Sequence, residues 1–531
     1  MFGTNVNLAR SRGVDRFSSG RPGIPVLLTV LVLLLVGAAE FTWAEVFKVP
    51  DDYRTIAGAI TAASPGDEIR VAEGIYWQPI RLKPNLRLKG GYRADFAAQN
   101  WMLWQTVIDA DGFDEPAVTG ADGATLDGFI VRNGRSALGG GIYLRDGGMT
   151  ITHNTIEDNR SRGGGGAICI CEVPVGRSRS EIRDNTIRRN IANTRPFEPG
   201  SHVIEDVEDS VSGGGILVWN SATWVQIQDN TIENNSAGNG GGISIKGSLV
   251  GIEDNEISSN QARGGSGGGI FIFPMTRNSF VRNNSVFNND ADADAGGILV
   301  SGAGLVAGNK IYGNTAGMSA GRPGGGLSAR ADGVLEVINN FIFNNANAGA
   351  DLGDGMDLSA ANGGRIQVVN NSIANNPTHT EGNGVYFSYV QPGGSTCIFQ
   401  NNIVWGHSDN LWLSEDVPCE VHYNLIQGEG LGGINHNIEA DPLFVSATDL
   451  HISASSPARD AGTVELISPL ALTLPAPTDD IDGDDRTATR PIDIGADEVE
   501  AEVYVAVFPP WVVIVFIALS ALWLVLWQRD E

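Results

Sequence analysis

Residues 229–245 read "DNTIENNSAGNGGGISI". The first seven place asparagine at positions two and seven around an isoleucine at position four. The last six place three glycines ahead of an apolar–polar–apolar string. Glycine loses more conformational freedom on ordering than any other residue, so three in a row inside regular structure need a physical reason. Recurrence supplies it.

The seven-residue string returns as "HNTIEDN" (153–159), "DNTIRRN" (184–190), "DNEISSN" (254–260), "NNSVFNN" (283–289) and "GNKIYGN" (308–314). It continues as "NNFIFNN" (339–345), "NNSIANN" (370–376), "QNNIVWG" (400–406) and "HYNLIQG" (422–428). Steps run from 22 to 31 residues, except for one of 45 that contains the insertion "RPFEPGSHVIEDVEDSVS" at 195–212. Between copies lies the glycine marker, as "GGGIYL" (139–144), "GGGILV" (213–218), "GGGIFI" (267–272) and "GGGLSA" (324–329).

Each marker alternates with the two-residue period of a strand, and no segment between 130 and 450 shows a helical period. A unit this short cannot bury its apolar face alone, so units must stack. Parallel stacking at about 4.8 Å per layer predicts an all-β solenoid. A leucine-rich repeat would need a regular leucine pattern, which is missing.

Stacking turns motif positions into columns. Position four (Ile156, Ile187, Ile232, Ile257, Val286, Ile311, Ile342, Ile373, Ile403) predicts an aliphatic core column. Position two (Asn154, Asn185, Asn230, Asn255, Asn284, Asn309, Asn340, Asn371, Asn401) predicts a structural ladder, because stacked amides bond one another. Position seven, Asn159 through Asn376 in the first eight copies, predicts a second. Cys397 and Cys419 are 22 residues apart, the step of the motif copies that follow them, so they fall on neighbouring coils. A layer spacing of about 4.8 Å lies inside the ~4.4–6.8 Å Cα window, and a structural disulfide is expected. Cys169 and Cys171 sit two apart on one strand, a poor geometry for a bridge if fully extended.

The chain has 531 residues, 69 glycines, five lysines and a formal charge of −27. So acidic a body disfavours nucleic acid, and it could hold an acidic polysaccharide only through arginine patches or bridging cations. The ends differ from the rest. Four arginines precede the apolar run 24–39 and a small-residue site at 42–44, which predicts a secretory signal over 1–44, with an uncleaved anchor as the alternative. Residues 511–527 carry no charge, include Trp511, Trp523 and Trp527, and predict a transmembrane helix over 509–528. Arg529 then places the tail 529–531 in the cytoplasm and the bulk of the chain outside the membrane.

These repeats resemble the right-handed parallel β-helix proteins of the pectin-lyase-like superfamily, and most of all the bacterial choice-of-anchor Q type. "VPDDYRTIAGAITAASPGDEIRVAEGIY" (49–76) resembles that family's N-terminal cap, and "TVIDADG" (106–112) and "ATLDGFIVRNG" (124–134) its early coils. "DPLFVSATDLHISASSPARDAGT" (441–463) and "DIDGDDRTATRPIDIGADE" (480–498) resemble its closing segment. The resemblance implies a cap and first coils over 45–130, regular coils over 131–430 and a closing segment over 431–500.

Some relatives cleave uronic-acid polymers, which takes a Lys or Arg base with carboxylate-held calcium, or paired carboxylates for hydrolysis. Only Lys246 and Lys310 lie inside the regular repeats, neither with an evident carboxylate set. The arginine-proline signature of pectate lyases and the Gly-His-Gly and paired-Asp patterns of polygalacturonases are absent. His407 in "VWGHSDN" reads as a structural turn residue. Asp480, Asp482 and Asp484, with Gly483 as the turn, are spaced like a calcium loop without its distal glutamate. They are the candidate metal ligands, with Ca2+ as the candidate ion; "DADAD" (290–294) is a weaker case. The expectation is a membrane-tethered surface protein, a stiff rod that binds glycans or other surfaces or only spaces things apart, without catalysis. The alternative is a polysaccharide lyase or glycoside hydrolase.

Overall fold

The computed structural model describes residues 44–192, 212–317, 324–347, 353–376, 383–390, 394–413, 419–465, 477–486 and 491–499. The expected signal segment apart from Ala44, the insertion apart from Ser212, and the expected membrane span all lie outside these residues. Among the described residues no helix is long and apolar enough to cross a membrane.

The chain winds into a right-handed parallel β-solenoid whose strands form sheets of 24, 13 and 8 members. A seven-residue helix, Ile56–Ala62, lies near its start, N-capped by Thr55 and burying Ile56, Ala59 and Ile60. One coil shows the plan: Ile243–Lys246, Val250–Glu253, Glu256–Ser258 and Gln261–Ala262. Each strand pairs in register with the same strand of the next coil, so Ile232 sits on Ile257 and Ile257 on Val286. The inward-facing aliphatics stack into one continuous core, most of it fully buried.

The glycine triplet acts through two different restrictions. Gly240 takes φ +58°, the left-handed region that glycine enters without steric cost. Gly241 and Gly242 are pinned by proximity: a Cβ on Gly241 would lie 2.5 Å from the Gln261 backbone nitrogen, and one on Gly242 would lie 2.7 Å from the Gly269 carbonyl.

The asparagines form two ladders. Asn255 shows the repeating pattern. Its Oδ1 accepts from the Asn230 backbone N–H and Nδ2, each at 3.0 Å, while its own Nδ2 donates to Ile227 O, Glu253 O and Asn284 Oδ1. The left-handed turn residue is not the ladder asparagine but the one before it, as at Asp229, Asp254 and Asn283.

That distinction corrects the reading of the ninth copy. Asn401 is not a ladder member: it takes φ +55° and turns the chain, and Asn371 instead passes its bonds to Asn402 and then Asn424. The column residue is accordingly Val404, which pairs with Ile373; Ile403 is buried too, but against the closing segment. Two successive asparagines left the frame ambiguous by one, and the apolar register decided it. One place further on, the position-seven ladder ends on His407, whose Nε2 lies 3.0 Å from Asn376 Nδ2.

Cys397 and Cys419 are register partners with Cα atoms 4.4 Å apart and are disulfide-bonded. Cys169 is bonded to Cys171, against the sequence expectation. Residues two apart on a strand face the same side, and here their Cα atoms are 5.9 Å apart, within the ~4.4–6.8 Å range a bridge spans.

Candidate functional site: an arginine-lined groove

From Asn159 to Asn345, each ladder asparagine at position seven is preceded by a left-handed residue and followed by a two- to five-residue strand. In register this makes two outer columns: Asp158, Arg189, Asn234 and Ser259 at the turn, and Arg160, Ile191, Ser236 and Gln261 on the strand. Between them runs a groove of about 370 Å³ that also reaches Arg263.

Among the described residues three guanidiniums and one carboxylate line it, an inversion of the charge of the whole chain. Arg189 is held by Asp158 through two bonds, 3.0 and 2.8 Å, and by Glu157 at 2.9 Å; these acids push its pKa up. Arg263 bonds Gln261 Oε1 at 2.8 Å. Arg160 is exposed and has no side-chain partner among the described residues. The arrangement offers a free planar fork, a second fork partly engaged, and the exposed amide and hydroxyl of Asn234 and Ser259. Guanidinium forks match carboxylates bidentately, and amides and hydroxyls suit sugar hydroxyls. Asp158, the one carboxylate among the described residues that line the groove, is bonded by Arg189.

The sequence candidates lie elsewhere. Asp480, Asp482 and Asp484 do not converge as one ligand set: Asp480 Oδ1 accepts the backbone N–H of both Asp482 and Asp484 at 2.8 Å, and its Oδ2 accepts that of Glu498 at 2.9 Å. The carboxylate closes the turn instead of facing an ion. In the 290–294 loop Asp292 accepts from Gly264 N–H and Asp294 pairs with Arg330, so these acids also part ways. Lys310 lies 3.8 Å from Asp482. His407 is buried, and its pKa is pushed down to about 4 by that burial.

Sequence reasoning missed the groove because Arg160, Arg189 and Arg263 belong to different coils. Aligning the copies and reading down the columns at and just beyond the motif's end would have shown Arg160 and Arg189 side by side.

Residues 117–362 match the family model described as right handed beta helix region. No curated protein matches the chain. Two solved structures are similar: the crystal structure of pectate lyase Pel9A, at 14% identity, 86% of this chain, 96% of that one and TM-score 0.39; and the complex structure of XylC with xylose, at 12% identity, 86%, 98% and 0.37.

Proposed function

We propose that the protein binds acidic glycans along the arginine-lined groove, without catalysis, as an extracytoplasmic β-helix surface protein of choice-of-anchor Q type. In this reading the segment at 509–528 tethers it in a bacterial envelope membrane with a short cytoplasmic tail. The observation that carries the binding role is Arg160, an exposed guanidinium with no side-chain partner among the described residues, lining one groove with Asn234, Ser259 and Arg263 from the coils that follow, on an otherwise acidic chain. A uronate or sulfate would complete the fork that the described residues leave open, and the opposite charge of the remaining surface would keep nucleic acid away.

The test is a glycan array followed by titration of the best acidic oligosaccharide. Loss of one charge-assisted bond is worth about 1.5–3 kcal/mol, so Arg160→Ala is expected to weaken binding about tenfold or more. Binding that is unchanged in Arg160→Ala and Arg263→Ala would remove the groove from the proposal. Release of unsaturated uronide from the bound polymer would replace the reading with the lyase alternative.

A further inference from the structure

The closing segment brings together three side chains far apart in sequence. His451 lies on the strand Asp449–Ile452, Asp482 on the turn closed by Asp480, and Asp497 in the final described loop. One ligand atom from each lies within 4.8 Å of the other two.

Their surroundings pre-orient them. His451 Nδ1 is bonded to Asp449, which leaves Nε2 aimed at Asp482 Oδ2, 2.6 Å away. A carboxylate behind a histidine is the arrangement that fixes the tautomer and raises the basicity of a metal-ligating imidazole. Phe341 meets the ring edge-on at 5.0 Å and limits its rotation. Asp497 provides the independent indication. It is only 8% exposed, its carboxylate accepts one hydrogen bond, from the Ile452 N–H at 2.7 Å, and no Lys or Arg pairs with it among the described residues.

We propose that His451, Asp482 and Asp497 form a divalent transition-metal site, with Asp449 as the carboxylate behind the histidine, that staples the closing segment to itself. One imidazole and two carboxylates favour zinc-like ions over calcium, which prefers an all-oxygen shell. Metal bonds of about 2.0–2.2 Å set tetrahedral ligands about 3.4 Å apart, so the histidine–aspartate pair must open from its hydrogen-bonded distance. The proton held between Nε2 and Oδ2 leaves as the metal enters. Half-exposed Asp482 has the freedom to make that adjustment; its other contact is Lys310 at 3.8 Å.

The experiment is calorimetric titration of chelator-treated full-length protein with zinc chloride and, separately, calcium chloride, in two buffers of different ionisation enthalpy. Thermal melts with and without zinc accompany it. The expected result is one zinc equivalent per chain, with proton release and a raised midpoint. Asp482→Asn should weaken zinc at least tenfold and abolish the midpoint shift, while Asp484→Asn leaves both unchanged. His451→Gln is the second variant, and circular dichroism reports whether it folds; Asp482→Asn, at a half-exposed site, keeps the test decisive if it does not. Absence of a saturable zinc site, or an Asp482→Asn protein that binds like the parent, overturns the proposal. Either result assigns His451 instead as an imidazolium held between Asp449 and Asp482.

Discussion

Replacing Asn255 with alanine tests the physical account of the ladder. Asn255 is 2% exposed and its side chain takes part in five hydrogen bonds, two as acceptor and three as donor. Most partners keep another bond: Asn230 Nδ2 still reaches Ile182 O and Gln228 O, and Asn284 Oδ1 still accepts from the Asn255 backbone N–H. The Asn230 backbone N–H does not, because Asn255 Oδ1 is its acceptor. One orphaned buried donor costs about 1–3 kcal/mol and each of the four other lost neutral bonds about 0.5–1 kcal/mol, so Asn255→Ala should destabilise by about 3–7 kcal/mol. Asn255→Asp sharpens the test. It keeps the acceptor but turns the three-bond donor into an oxygen facing three oxygens, so it should be worse than alanine at neutral pH and recover as acid protonates it. Urea unfolding followed by circular dichroism, with the midpoint and the slope read separately, measures both. Glu256→Ala, exposed on the adjacent position, should stay within about 0.5 kcal/mol of the parent. A loss under about 1 kcal/mol for Asn255→Ala, or an aspartate variant as stable as the parent, would refute the ladder as a source of stability.

Two further outcomes follow from buried charge. His407 takes up a proton below about 6.5 when unfolded but only near 4 when folded, so its contribution is complete above pH 6.5 and is lost as pH falls toward 4. That gap corresponds to about 3 kcal/mol, and His407→Asn should flatten the acid limb of a stability–pH curve by about that much; Asp354, raised to about 7 by burial, acts in the opposite sense and remains in both proteins. Arg486 has a fully buried side chain, pairs with Glu498 at 3.1 Å and donates to the Asp493 and Gly495 carbonyls. Arg486→Met should cost about 3–5 kcal/mol and expose the closing segment to protease, while the double variant with Glu498→Met should recover part of the loss, since the isolated buried carboxylate is what harms.

The coil itself is readable in the chain because its cause is local and repeated. Each "N-x-I" brings the same bonds to the same neighbours, so Ile232, Ile257 and Val286 announce their column without any knowledge of the whole. The reading slipped where the local pattern was degenerate. At "QNNIVWG" either asparagine could begin the motif, and it takes the pairing of Val404 with Ile373 and the ladder bonds through Asn402 to distinguish Asn402 from Asn401. Cys169 and Cys171 show a related limit, since the Cα separation within a strand depends on its twist, which composition does not state.

Sites were less legible than the scaffold. Asp480, Asp482 and Asp484 look like one ligand set because spacing in a loop is visible, yet Asp480 spends its oxygens on backbone N–H groups two, four and eighteen residues on. The groove joins Arg160 to Arg263 across several coils, and which outer residues become neighbours depends on every turn length between them. His451 meets Asp482 and Asp497 through a closing segment that has no repeat at all. The sequence alone determined a stacked β-coil, its apolar column and the register of Cys397 on Cys419, because periodic hydrogen bonding makes each coil predict the next. Only the tertiary structure decided which charges stand side by side, because outer side chains and the non-repeating end obey no period and are placed by the accumulated geometry of the winding.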